Sequence, residues 1–279
     1  MPDKVALVTG GTRGIGRGIS EVLARDGYDL VLGFNSNRDA ANKAKSELQA
    51  KYRVKVITVE GDVAQPQCVE LLFQAVKDVF GGRLTAFVHN AGLYVNVTTA
   101  SSDAPANLTP DEEWNDSIYD YYQKVYPRAF KKGVELALRC AGLRHVIAIS
   151  SPGCNCNQPA MPGYEDPGQA KASMEFLVRC YAKRLAAEGI NCNCVIPGFI
   201  KTGAWEKVYE SSPGMKEGID KVVTETTPAK RWAEPTEIGE VVAFLCSDKA
   251  DFLTGVAIPV DGGLHLGKLS EKSHSRPER

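Results

Sequence analysis

Apolar positions follow two alternating rhythms along the chain. Val5–Thr9 is a continuous apolar run of strand length, and Ile15, Ile19, Val22 and Leu23 then recur at helical spacing. The same alternation continues to the C-terminal region. Strands are predicted at Asp29–Phe34, Val54–Val59, Ala86–His89, His145–Ile149, Ile190–Ile196 and Ala257–Val260. Helices are predicted at Ala40–Tyr52, around Val69–Val76, at Trp114–Cys140, Lys171–Glu188 and Thr236–Ser247. Strands separated by helices imply right-handed parallel βαβ units, hence a Rossmann-type α/β fold with one doubly wound sheet. Leu93–Glu113 and Gly198–Thr227 lack a clear period and read as long loops, which in a compact domain usually carry function. Residues 1–267 form the expected domain, and the polar segment 268–279 is expected to be a disordered tail.

Composition narrows the function classes. The chain has 279 residues, 43% hydrophobic, with a net charge of −1, enough apolar content for a sizeable core. The balanced charge argues against a nucleic-acid partner. No apolar run reaches the ~20 residues of a membrane span. The first strand begins at the N-terminus without room for a leader, so a cytoplasmic protein is expected. Among the eight cysteines, two pairs have Cys-x-Cys spacing, Cys154/Cys156 and Cys192/Cys194. Neither has zinc-type spacing, so no metal is expected and the thiols are read as reduced. Cys192 and Cys194 should share one face of a strand, whereas Cys154 and Cys156 lie in a loop and read as exposed.

The turn after the first strand reads Thr9-Gly10-Gly11-Thr12-Arg13-Gly14-Ile15-Gly16. Glycines here let backbone N–H groups approach a pyrophosphate at a helix N-terminus. The second strand ends Asn35-Ser36-Asn37-Arg38 without the acid that would bond a ribose 2′-hydroxyl. Arg13 and Arg38 instead suit a 2′-phosphate, so the cofactor is read as NADPH.

These residues resemble the short-chain dehydrogenase/reductase family, whose turn has the pattern Thr-Gly-x-x-x-Gly-x-Gly. Further matches follow in the family's order: Asp62-Val63, Asn90-Ala91-Gly92, Ser150-Ser151, Pro197-Gly198, Thr202 and Asp261-Gly262-Gly263. The resemblance implies a seven-stranded parallel sheet and a homotetramer built through the last strand and the helices Trp114–Cys140 and Lys171–Glu188. It places Asp62 and Val63 at the adenine, Asn90, Ala91 and Gly92 beside the cofactor, and Pro197, Gly198, Ile200 and Thr202 at the nicotinamide carboxamide.

The family's chemistry uses Asn, Ser, Tyr and Lys, with the Tyr protonating a carbonyl oxygen as hydride arrives. Ser151 and Lys171 occupy two of those places. Four residues before Lys171 stands Pro167 instead of Tyr, and seven after Trp114 stands Tyr121 instead of Asn. Proline has no proton to give. Three explanations follow. Tyr164, thirteen residues after Ser151, replaces the acid from upstream. Alternatively, catalysis is lost and only cofactor binding, as in a sensor or scaffold, remains. Or the reaction needs no proton donor.

Iminium reduction is a reaction of that last kind. Hydride on carbon simply neutralises the cation, and a carboxylate such as Asp166 or Glu165 would attract it. This local pattern also resembles the fungal bifunctional reductase/Diels–Alderases of prenylated indole-alkaloid biosynthesis, the paraherquamide and malbrancheamide type. The resemblance implies that NADPH reduces a zwitterionic prenylated iminium to an azadiene. An intramolecular [4+2] cycloaddition in the same pocket then forms the bicyclic diazaoctane core. It assigns Asp166 to the substrate cation and Lys171 to the nicotinamide ribose, with Ser151 lining the pocket. Tyr94, Tyr121, Tyr122, Phe199, Trp205 and Tyr209 are the bulky side chains that could wall it.

Overall fold

The computed structural model describes residues 4–92, 116–156, 158–160, 163–203, 205 and 215–267. Seven strands form one parallel sheet: β1 (Lys4–Thr9), β2 (Tyr28–Phe34), β3 (Val56–Glu60), β4 (Ala86–His89), β5 (His145–Ile149), β6 (Asn191–Pro197) and β7 (Ala257–Val260). Their order is β3-β2-β1-β4-β5-β6-β7, the doubly wound sheet expected. The strand order reverses between β1 and β4, and the crevice at such a switch point is where open α/β sheets bind ligands.

The strands are mostly apolar because both faces of the sheet are covered. Val5 and Leu7 of β1 point into one core cluster, and Ala6 and Val8 into the other. The first cluster packs against α3 (Pro66–Phe80), α4 (Asp116–Gln123), α5 (Ala129–Ala137) and α6 (Glu165–Leu185). The second packs against α1 (Gly14–Arg25), α2 (Arg38–Tyr52) and a late helix, Pro235–Leu245. A Cβ on Gly18 of α1 would stand 2.3 Å from the backbone of Pro235, so glycine permits this close crossing.

Three helical expectations change. The helix containing Lys171 begins six residues earlier, at Glu165. Pro167 stands in its first turn, where its missing N–H would have had no intrahelical acceptor. Part of the expected loop Gly198–Thr227 is the helix α7 (Met215–Thr226), which makes Pro235–Leu245 α8. The long helix after Trp114 is interrupted by a π-helical turn, Lys124–Arg128, which contains Pro127. There the Ala129 N–H bonds the Lys124 carbonyl, five residues back. Cys192 and Cys194 are buried together, and Cys154 is buried too, contrary to the loop reading; Cys156 is exposed. No helix among the described residues is long and apolar enough to cross a membrane.

Candidate active site

The expected cofactor residues collect at the C-terminal edge of the sheet. Gly10 and Gly14 have φ of +65° and +52°, conformations that L side chains rarely adopt. A Cβ on Gly16 would stand 2.0 Å from the Gly10 carbonyl oxygen. The first turn of α1 contains no acid, and no side chain caps it. Its N–H groups therefore face outward for an anion, and the turn fits a pyrophosphate. Thr202 lies beside Gly14, its methyl 3.4 Å from where a Cβ would be. That contact brings the segment after β6 against the glycine turn expected to hold the pyrophosphate.

Hydrogen bonds fix the floor of this crevice. Asn90 Nδ2 donates to the carbonyls of Thr9 (3.1 Å) and Gly10 (3.2 Å). Thr9 Oγ1 accepts from the N–H groups of Asn90 and Ala91, both at 3.0 Å. It also lies 3.2 Å from Nδ1 of the buried His89, whose Nε2 is 2.9 Å from the Val125 carbonyl. A carbonyl only accepts, so Nε2 carries the proton and Nδ1 accepts the Thr9 hydroxyl. Burial holds this imidazole neutral down to about 4.

The residues expected at a 2′-phosphate differ in their freedom. The exposed Arg38 pairs with Glu60 at 2.6 Å. The guanidinium of Arg13 has no hydrogen bond or ion pair among the described residues. Asn37 caps α2 by accepting from the Ala40 N–H at 2.8 Å, while Asn35 and Ser36 are exposed before it. Asp62 accepts from the Ala64 N–H at 2.9 Å, and Val63 is buried. Ile200 is buried in the core, which leaves only its backbone for a cofactor.

Beside the end of β5, where catalysis is expected, stands a chain of three polar groups. Lys171 Nζ donates to Ser151 Oγ at 2.7 Å and to the Ser150 carbonyl at 3.2 Å. Ser151 Oγ lies 2.8 Å from the Tyr164 hydroxyl. Tyr164 precedes α6 directly, so the early helix start brings the phenol onto Ser151. Burial pushes that phenol up to about 12, with the Ser151 hydrogen bond acting the other way. Lys171 Nζ also stands 4.9 Å over the ring of Tyr126 in the π-helical turn.

Other expected substrate residues divide. Asp166 is half-buried, and its carboxylate has no hydrogen bond or ion pair among the described residues. Burial and the neighbouring Glu165 push its carboxyl upward. Glu165 is exposed and accepts from the Gly163 N–H at 3.1 Å. Tyr121, expected at the substrate, is half-buried, and burial first and the nearby Asp62 carboxylate next push its phenol up to about 12. Tyr122 is fully buried and stacks on Tyr126 with centroids 5.9 Å apart, so it belongs to the core rather than the wall. Phe199 and Trp205 do meet, 6.4 Å apart, and both pack on Trp232 at 5.8 and 5.2 Å. Tyr94 and Tyr209 lie outside the described residues.

Sequence reasoning missed Tyr126, Trp232 and Glu175. Glu175 left a usable signal, because Lys171 and Glu175 interrupt an otherwise apolar stripe of α6 one turn apart. Tyr126 left none, since the π-helical turn displaces it from the ordinary helical period.

Comparison with known proteins places this geometry. The family described as enoyl-(acyl carrier protein) reductase matches residues 10–265. The chain is 30% identical to 3-oxoacyl-[acyl-carrier-protein] reductase FabG of Staphylococcus epidermidis, over 95% of this chain and 100% of that protein. It is 32% identical to the hydroxynaphthalene reductase-like protein Arp2 of Metarhizium anisopliae, over 94% and 95% of the two chains. The structure of L-sorbose reductase from Gluconobacter frateurii, complexed with NADPH and L-sorbose, superposes with a TM-score of 0.79. It shares 28% identity and covers 94% of this chain and 96% of its own. Levodione reductase superposes with a TM-score of 0.81 at 26% identity, over 95% and 98%. With the family matched across nearly its whole length, this chain belongs to the short-chain dehydrogenase/reductases and is an oxidoreductase of that type.

Proposed function

We propose that the protein is an NADPH-dependent reductase of a cationic, iminium-type small molecule, with Asp166 opposite the substrate cation and Lys171 on the nicotinamide ribose. The observation that carries this reading is the carboxylate of Asp166. It is half-buried, unpaired among the described residues, and adjacent to Pro167, which stands where the family has its proton donor. An unpaired carboxylate in a partly desolvated place gains most from a cationic ligand. The bound NADPH supplies a hydride. Hydride on the iminium carbon sends the C=N pair to nitrogen and leaves a neutral amine, so no phenol is required. NADPH is favoured by the free Arg13 guanidinium, the lack of an acid at the end of β2, and the NADPH bound by L-sorbose reductase.

The resemblance to the indole-alkaloid enzymes rests on the stretch around Asp166, Pro167 and Lys171, and extends this reading to a coupled [4+2] cycloaddition. That step needs a wall that folds diene and dienophile together and excludes water. Phe199, Trp205 and Trp232 are suited to form it, and their rings meet at tilted or edge-on angles. The working form is read as a homotetramer.

One observation favours a second reading. Tyr164, Ser151 and Lys171 form a continuous hydrogen-bonded chain of 2.8 and 2.7 Å, which suits carbonyl reduction with Tyr164 as the donor. Its weakness is a phenol pushed up to about 12, a poor acid near neutrality.

NADPH oxidation, followed by its near-ultraviolet absorbance, separates the two. Cyclic iminium and ketone panels are run on wild type, Asp166→Asn and Tyr164→Phe. The first reading expects turnover of iminium only, lowered about a hundredfold or more in Asp166→Asn. Ketone turnover that Tyr164→Phe abolishes would replace it with the second.

A further inference from the structure

Lys171 is held by groups that do not depend on the missing family tyrosine. The Ser150 carbonyl and Ser151 Oγ accept from its ammonium, and the Tyr126 ring lies beneath it. On the next turn of α6 is Glu175, only 3% exposed. Ser150 Oγ donates a very short hydrogen bond to Glu175 Oε1, and Asn155 Nδ2 donates to Oε2 at 3.1 Å. Ser150 thus bridges two buried charges, its hydroxyl on the carboxylate and its carbonyl on the ammonium.

A buried carboxylate is tolerated when it is hydrogen-bonded and its charge is balanced. Ser150 and Asn155 are neutral donors, so Lys171 supplies the opposite charge. Among the described residues, the titratable groups on the other packed elements are neutral near pH 7 and leave this field to Glu175. His89 on β4 is neutral above about 4. Cys154, after β5, and Cys194 on β6 are thiols pushed upward by burial first and by Glu175 in part. The Tyr164 phenol is likewise neutral near pH 7.

We propose that Glu175 is a positioning residue for the cofactor site: through Ser150 it fixes the ammonium of Lys171, and its charge keeps that ammonium protonated where it meets the nicotinamide ribose. The proposal rests on Lys171 contacting the cofactor. It does not depend on which substrate is reduced.

The test is NADPH affinity of the full-length protein, measured by cofactor fluorescence from neutral to alkaline pH. Wild type should bind evenly and then weaken along an alkaline limb as Lys171 loses its proton. Glu175→Gln should move that limb about one pH unit lower, which costs about tenfold in affinity on the limb and little at neutrality. Glu175→Asp, which keeps the charge, should leave the limb near wild type. Weakening that is uniform across pH, or a limb shared by the Gln and Asp variants, would overturn the proposal. Ser150→Ala removes only the bridging hydroxyl and should shift the limb in the same direction. An unmoved limb there overturns the proposal even if Glu175→Gln does not fold. Lys171→Met should abolish the limb. A limb that persists in Lys171→Met sinks the Lys171 assignment and this proposal with it. One lost there but unmoved in Glu175→Gln sinks the role of Glu175 alone.

Discussion

Thr9 offers a measurable link between the fold and the candidate cofactor site. Its buried hydroxyl serves three partners: it donates to His89 Nδ1 and accepts from the N–H groups of Asn90 and Ala91. Thr9→Val keeps the shape and orphans all three. A buried polar group left unpaired costs about 1–3 kcal/mol. Nδ1 of His89 has no route to water at 1% exposure and should cost the upper part of that range. Asn90 and Ala91 are only half-buried and shared one acceptor, so together they add about 1 kcal/mol. The expected total is roughly 3 kcal/mol. Unfolding entropy of about 2.1 cal/mol/K per residue gives ~0.6 kcal/mol/K over 279 residues. The melting midpoint should therefore fall by about 5 °C. Scanning calorimetry reads this directly, and a protective shift on adding NADPH should shrink, because Asn90 braces the Gly10 turn. A midpoint within about 1 °C of wild type would mean that the three groups find other partners, and the hydrogen-bond assignment around His89 would be wrong.

Three further outcomes are expected. Gly16→Ala places a Cβ 2.0 Å from the Gly10 carbonyl oxygen, so NADPH affinity should fall at least tenfold, about 1.4 kcal/mol, by titration calorimetry. Burial holds His89 and His145 neutral to about 4, against 6.5 when unfolded. The unfolded chain then binds more protons between those values, so stability is full above about 6.5 and falls as pH drops towards 4. Each histidine contributes on the order of 3 kcal/mol. Urea unfolding at several pH values should show this slope, and His145→Leu should flatten it by about half. Phe252 is fully exposed in the single chain, so Phe252→Ser should shift a tetramer towards smaller species in sedimentation. A monomeric wild type would remove the tetramer.

The strands were legible because parallel strands buried on both faces read as unbroken apolar runs, as Val5–Val8 does. The helix Met215–Thr226 was not, because its apolar stripe is thin and Val222 is itself exposed. The turn at Gly10–Gly16 was legible because conformational need leaves a compositional trace, here glycines with positive φ. Polar geometry leaves no such trace. The thirteen-residue spacing from Ser151 pointed to Tyr164, but it did not fix the hydrogen bonds that join Ser151, Tyr164 and Lys171. They depend on α6 starting at Glu165, and a proline at position 167 looked like a reason for it to start later.

That early start also changes how the two acids before Pro167 are to be understood. The first turn of a helix favours negative charge, so Glu165 and Asp166 have a structural reason to be there whatever the chemistry. Their presence alone therefore carries little functional weight. Their surroundings differ. Glu165 is exposed and satisfied locally by the Gly163 N–H, as an acid serving the helix end would be. Asp166 is partly withdrawn from water with nothing described to pair it, and stabilising the dipole alone would not require that. A carboxylate partly withdrawn from water gains more from a cationic ligand than a fully hydrated one does. The functional signal is thus the lack of a partner for the Asp166 carboxylate among the described residues, which no sequence pattern records, and the proposed cationic substrate would supply one.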